Sequence, residues 1–143
     1  MTVVHHAVLG GRVPCVQAML RFRPRPHLQA ENNEEDTALH LAALCGHAPM
    51  VQLLLDHGSM IDKRNCRGVC CECVLPSAHS TRCTGETALH CAVMGSGSAE
   101  GGMIATALVL LQVDQQADLN AQTSGGRSAL ALAAANGSLE MVK

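Results

Sequence analysis

The chain has 143 residues, 48% of them hydrophobic, one aromatic residue (Phe22) and a formal net charge of -2. That length suits one ordinary domain with enough apolar residues for a core, and the charge is too small to draw the chain to nucleic acid or to a membrane surface. The longest apolar run, Met103 to Leu111, falls far short of the roughly 20 residues that span a bilayer. No charged and then apolar leader follows Met1, so an intracellular location, cytoplasmic or nuclear, is expected.

In chain order, the first unit opens at Thr2-Val3-Val4-His5 and continues through His6-Ala7, Gly11, Val16 and Leu20 to an Arg-Pro-rich stretch, Arg21 to Pro26. The second opens at Thr37-Ala38-Leu39-His40. Thr37 stands before an apolar run, where a hydroxyl can cap a helix start. Leu39, Ala42 and Ala43 put apolar atoms on one helical face, and the alanines let a neighbouring helix come close. Gly46 suits the left-handed residue that ends such a helix. Met50, Val51, Leu53, Leu54 and Leu55 then follow at helical spacing, and Gly58 stops that second helix. A two-helix unit of this size cannot bury its own apolar face, so like units must stack.

The tetrapeptide returns as Thr87-Ala88-Leu89-His90, 50 residues after Thr37, and weakly as Ser128-Ala129-Leu130-Ala131, 41 residues after Thr87. Thr2 to Thr37 is 35 residues. The long interval carries a surplus that includes a cysteine-rich segment, 69–83, expected at the tip of an inter-repeat β-hairpin where it leaves the helices undisturbed. The other surplus falls in the Gly/Ser-rich segment 95–102, expected as a flexible join between the two helices of the third unit.

This pattern resembles the ankyrin repeat, whose units begin Thr-Pro-Leu-His, pass through paired alanines, Gly-His and a Leu-Leu-Leu run, and repeat at about 33 residues. Ala38, Ala88 and Ala129 stand where the family has proline. The resemblance implies an all-α solenoid of stacked helix-turn-helix units with β-hairpin loops. Its repeats are expected at about 2–36, 37–68, 84–122 and 123–143, the first and last incomplete, as in part of a longer array. It also implies that His5, His40 and His90 hydrogen-bond between adjacent loops, and that Ala131 weakens the last interface. Two narrower likenesses are short. Leu119-Asn120-Ala121-Gln122 leading to Gly126-Arg127-Ser128 is similar to the inhibitors of NF-κB. Glu31-Asn32-Asn33-Glu34-Glu35-Asp36-Thr37 and Glu86-Thr87-Ala88-Leu89-His90 are similar to ankyrin adaptors with SAM and phosphotyrosine-binding domains.

Ankyrin stacks, as a family, bind protein partners on a concave face of hairpin tips and first helices. By position the implied contacts are Asn33, Glu34, Asp36, Leu44 and Cys45; then Arg64, Asn65 and Arg67; then Glu86, Val93 and Met94; and finally Arg127 and Ala135. The implied protein is a scaffold or adaptor, a monomer or part of a longer chain, with no cofactor. No phosphate-loop, dinucleotide or nucleophile-elbow motif sits between strand and helix, so no enzymatic activity is expected. The acidic group Glu31, Glu34, Glu35 and Asp36 reads as a solvated loop.

Five of the eight cysteines are Cys66, Cys70, Cys71, Cys73 and Cys83. Cys70, Cys73, His79 and Cys83 supply a zinc-type ligand set, because thiolate and imidazole suit a tetrahedral site. Its spacing is close to that of a zinc knuckle, without that motif's glycines and aromatic. Zinc stoichiometry on protein purified without chelator, lost in a Cys70→Ser, Cys73→Ser variant, is the check; metal-free protein rules zinc out. S-acylation and a plain cysteine-bearing loop are the alternatives, while a disulfide framework is not expected inside a reducing compartment. Cys15, Cys45 and Cys91 are expected in core or helix-face packing.

Overall fold

A computed structural model describes residues 2–22, 28–66, 85–95, 100–112 and 118–135. Among these residues the threonine- and serine-led segments each start a short helix: α1 (Val3–Leu9), α3 (Ala38–Leu44), α5 (Ala88–Met94) and α7 (Ala129–Ala135). The longer second helices are α2 (Val13–Phe22), α4 (Ala48–Asp56) and α6 (Glu100–Gln112). First helices pack on one another in the row α1, α3, α5, α7, second helices in the row α2, α4, α6, and α1, α3 and α5 each pack on the second helix that follows. The fold is therefore an all-α stack of two layers, and its core runs lengthwise between them.

The small first helices are consistent with their sequence. Ala38, Leu39, Ala42 and Ala43 are wholly buried, as are Met50, Val51 and Leu54 on α4. The core is built from Leu, Ala, Val, Met, Ile and Cys, and the single aromatic, Phe22, is 86% exposed. Helix ends follow one local rule. After α3, Gly46 adopts φ of 70°, its N–H donates to the Ala43 carbonyl at 3.1 Å, and the His47 N–H donates to Ala42 at 3.1 Å. This pair of bonds satisfies two otherwise orphaned carbonyls and needs a left-handed residue at its pivot. Gly11 and Gly58 close α1 and α4 in the same way.

Four expectations are corrected. The segment 95–102 is not a join throughout, since α6 already begins at Glu100 and includes Gly102. Packing overrides the poor helix propensity of glycine here: a Cβ on Gly102 would lie 2.9 Å from the Gly46 carbonyl oxygen, so only a glycine lets α6 approach the α3–α4 turn so closely. The inter-repeat loops carry no strand among the described residues, only one isolated antiparallel bridge, Gln122 with Ser128. Pairing cannot extend beyond that bridge, because the chain enters α7 at Ala129. Cys15 is exposed rather than packed, while Cys45 is half-buried and Cys91 buried. Cys66 is also disulfide-bonded. Compartment chemistry says where such bonds persist and not whether two thiols meet, so it could not anticipate this one.

Candidate functional site

The loops that precede the first helices form one edge of the stack, and two sets of hydrogen bonds hold that edge. The first set runs through the repeated histidines. Thr2, Thr37 and Thr87 cap α1, α3 and α5, each in a capping box whose other member is the histidine three residues on. The Thr37 N–H donates to His40 Nδ1 at 3.2 Å, and the Thr37 hydroxyl lies 2.9 Å from the same nitrogen. Because an amide N–H can only donate, Nδ1 is the acceptor and the ring proton sits on Nε2. That Nε2 donates to the Lys63 carbonyl at 2.9 Å and to the Glu86 carbonyl at 3.2 Å. His5 Nε2 reaches the Asp36 carbonyl and His90 Nε2 the Arg127 carbonyl, both at 3.2 Å. Each histidine is a buried, neutral clamp from one unit to the loop of the next.

Burial pushes the proton affinity of His5 and of His90 below the ordinary value of 6.5, partly offset by their bonds to the Asp36 and Arg127 carbonyls. Protonation would also place a second donor against the threonine N–H. The unfolded chain thus binds protons more readily than the folded one. The stability these groups contribute is present above pH 6.5 and is lost as pH falls through the lowered folded-state values. Urea midpoints are expected to drop between about pH 7.5 and about pH 5.5; a midpoint that holds or rises would contradict the neutral clamp.

The second set closes each loop on itself. Asn32 N–H donates to the Asp36 carbonyl at 3.0 Å, and Asp36 N–H returns to Asn32 Oδ1 at 2.9 Å. Thr123 and Arg127 repeat the pair at 2.9 and 3.3 Å. Asn65 and Glu86 form it too, at 3.0 and 2.9 Å, although they stand 21 residues apart where the other pairs are four apart. The difference, 17 residues, is the surplus inferred from the spacing of the two Thr-Ala-Leu-His copies. Just before the last residue of each loop the backbone turns left-handed: Glu35 at 57°, Gly85 at 58° and Gly126 at 74°. A glutamate pays a steric cost there of about 1–2 kcal/mol. Glu35→Gly should therefore raise stability by about 0.5–1 kcal/mol after the entropy gained by the unfolded glycine. Urea unfolding checks this, and a loss of stability would show that the Glu35 side chain holds the loop.

The positions implied as partner contacts separate into two groups. Asn33, Glu34, Arg64, Met94, Arg127 and Ala135 are exposed, and Leu44 and Cys45 half-buried. Asp36, Asn65, Glu86 and Val93 are buried, which corrects their placement at the surface. The first three are polar because they hold the loops, and Val93 walls an apolar cavity of about 510 Å³ between α5, α6 and α7. Arg64 spans the edge, donating to the Gln122 carbonyl at 2.6 Å and to Gly85 at 3.4 Å. Lys63 pairs with Glu31. Arg67 and the zinc-type set Cys70, Cys73, His79 and Cys83 lie outside the described residues. Among the described residues no group of three or more His, Cys, Asp or Glu is arranged to hold a metal ion, and no helix is long and apolar enough to cross a membrane. The loop-closing role of Asn65 and Glu86 had one sequence signal, the equivalence of Asn32 and Asp36, which the long interval hid.

The family model for ankyrin repeats (3 copies) matches residues 1–65. Over 65 residues the chain is 34% identical to transient receptor potential cation channel subfamily A member 1 from Homo sapiens, an alignment covering 41% of this chain and 6% of the channel. The chain thus spans a small fraction of that relative's length. Residues 1–65 are thus ankyrin repeats, whose folds are protein-interaction modules, and the same clamps and helix pairs continue past residue 65.

Proposed function

We propose that this protein is a non-enzymatic scaffold or adaptor that binds a protein partner along the loop edge and the adjoining first helices. One observation carries the reading: exposed Asn33, Glu34, Arg64 and Arg127 stand on consecutive loops whose backbones are pinned by the histidine and loop-closing bonds. A rigid frame that uses its apolar faces for stacking presents polar side chains at its loop tips, where a partner can be selected without altering the fold. Specific binding at such an edge loses little entropy, since the loops are already ordered.

Photo-crosslinking residues placed at Asn33, Met94 or Arg127 are expected to capture the same partner in cells. One placed at Gln17, exposed on α2 in the other layer, is expected to capture none of it. Capture from Gln17 alone would place recognition on the second-helix layer and sink the proposal.

A further inference from the structure

Asn65 does more than close its own loop. Its side chain is 3% exposed and fully engaged: Oδ1 accepts the Glu86 N–H at 2.9 Å, while Nδ2 donates to the Asp36 carboxylate at 2.6 Å and faces Cys91 Sγ at 3.8 Å. Among the described residues neither counterpart makes a cross-link of this kind: Asn32 Oδ1 takes the N–H groups of its own loop, Glu34 and Asp36, and Thr123 Oγ1 that of Arg127. Next to it, the Cys66 N–H donates to the Glu34 carbonyl at 2.8 Å. The loop that carries Asn33 and Glu34 is thereby joined to the loop that carries Arg64 through two bonds, of which the buried one has a carboxylate acceptor and is stronger than a neutral pair.

We infer that Asn65 is a positioning residue for partner recognition, fixing the spacing between the 33–34 tip and the Arg64 tip through its bonds to Asp36 and Glu86. The inference rests on the loop edge being the binding surface, but its geometry is tested without any partner. The amide is required in one orientation, because one end must accept and the other donate. Asn65→Asp places two carboxylates in contact, and one of them must then take up a proton for the pair to persist. Such a pair has a folded-state proton affinity above the unfolded value. Its stability is present in acid and lost as pH rises, opposite in sign to the histidine clamps. Exchanging the partners, Asp36→Asn with Asn65→Asp, restores one donor facing one acceptor and leaves an acceptor for the Glu86 N–H.

Amide hydrogen exchange and urea unfolding of the full chain decide the matter. Asn65→Ala is expected to speed exchange at the Cys66 and Glu86 amides about tenfold or more, with little change at α3 amides. Asn65→Asp should show a deficit relative to wild type that shrinks as pH falls, and the exchanged double variant should recover most of the loss at neutral pH. Unchanged exchange at Cys66 and Glu86, a pH-independent deficit, or no recovery in the double variant would each overturn the inference. Should Asn65→Ala fail to fold, the pH profile and the exchanged pair still decide. Loosened amides with crosslinks that appear only at Gln17 would leave the positioning intact and refute the binding surface instead.

Discussion

His40→Ala is expected to cost about 3–4 kcal/mol, among the largest losses for a single side chain in this stack. The ring is 1% exposed and joins three backbone segments: the start of α3, the loop at Lys63 and the stem at Glu86. Truncation leaves the Thr37 N–H and two carbonyls without that partner and opens a cavity, and neither water nor a neighbouring side chain restores the geometry. His90→Ala removes the same cap and a matching clamp toward the Arg127 and Ala121 carbonyls, and should cost a comparable amount. Urea unfolding of the two variants checks both losses. Equal small losses, within the range of a surface substitution, would mean the histidines do not tie the units together.

Gly102→Ala carries the second large effect, and its sign runs against local propensity. Alanine in a helix interior is worth about 1 kcal/mol over glycine. At this site, however, the added carbon would sit 2.9 Å from the Gly46 carbonyl oxygen, a backbone atom fixed by the turn that ends α3. Relief requires α6 to move off α3 and α4, and over-packing of this kind costs about 1–3 kcal/mol. A net loss of up to about 2 kcal/mol is expected. Gly10→Ala is the control, because Gly10 has an ordinary φ of -76° and its nearest contact would be 3.4 Å. Stabilisation at Gly102 would show that the second-helix row is looser than its geometry.

The same two regions explain what was legible beforehand. Thr37 through Gly58 is readable because cap, apolar spacing and terminating glycine agree at each step, and the histidine ladder followed from the family likeness. Asp36, Asn65 and Glu86 were misplaced for a physical reason: a polar residue in a loop looks solvated until the atom it must satisfy is known. For Asn65 that atom lies 21 residues away on Glu86. The start of α6 was hidden likewise, since two glycines in sequence argue for a flexible join and only the approach to Gly46 makes one of them a packing requirement.

One continuous stack runs through an interrupted loop whose stem is already closed by Asn65 and Glu86. Deleting Gly68 to Thr84 leaves Asn65-Cys66-Arg67-Gly85-Glu86, which restores the four-residue span of the other loops and keeps a glycine at the left-handed position. Shortening the closed loop from 21 to four residues lowers its closure cost by about 1.5 kcal/mol. Equilibrium unfolding of the deletion variant against the full chain, both under reducing conditions so that Cys66 is a thiol in each, is the direct measurement. A single transition at higher urea is the predicted result; a broadened transition or a lower midpoint would contradict the continuous stack.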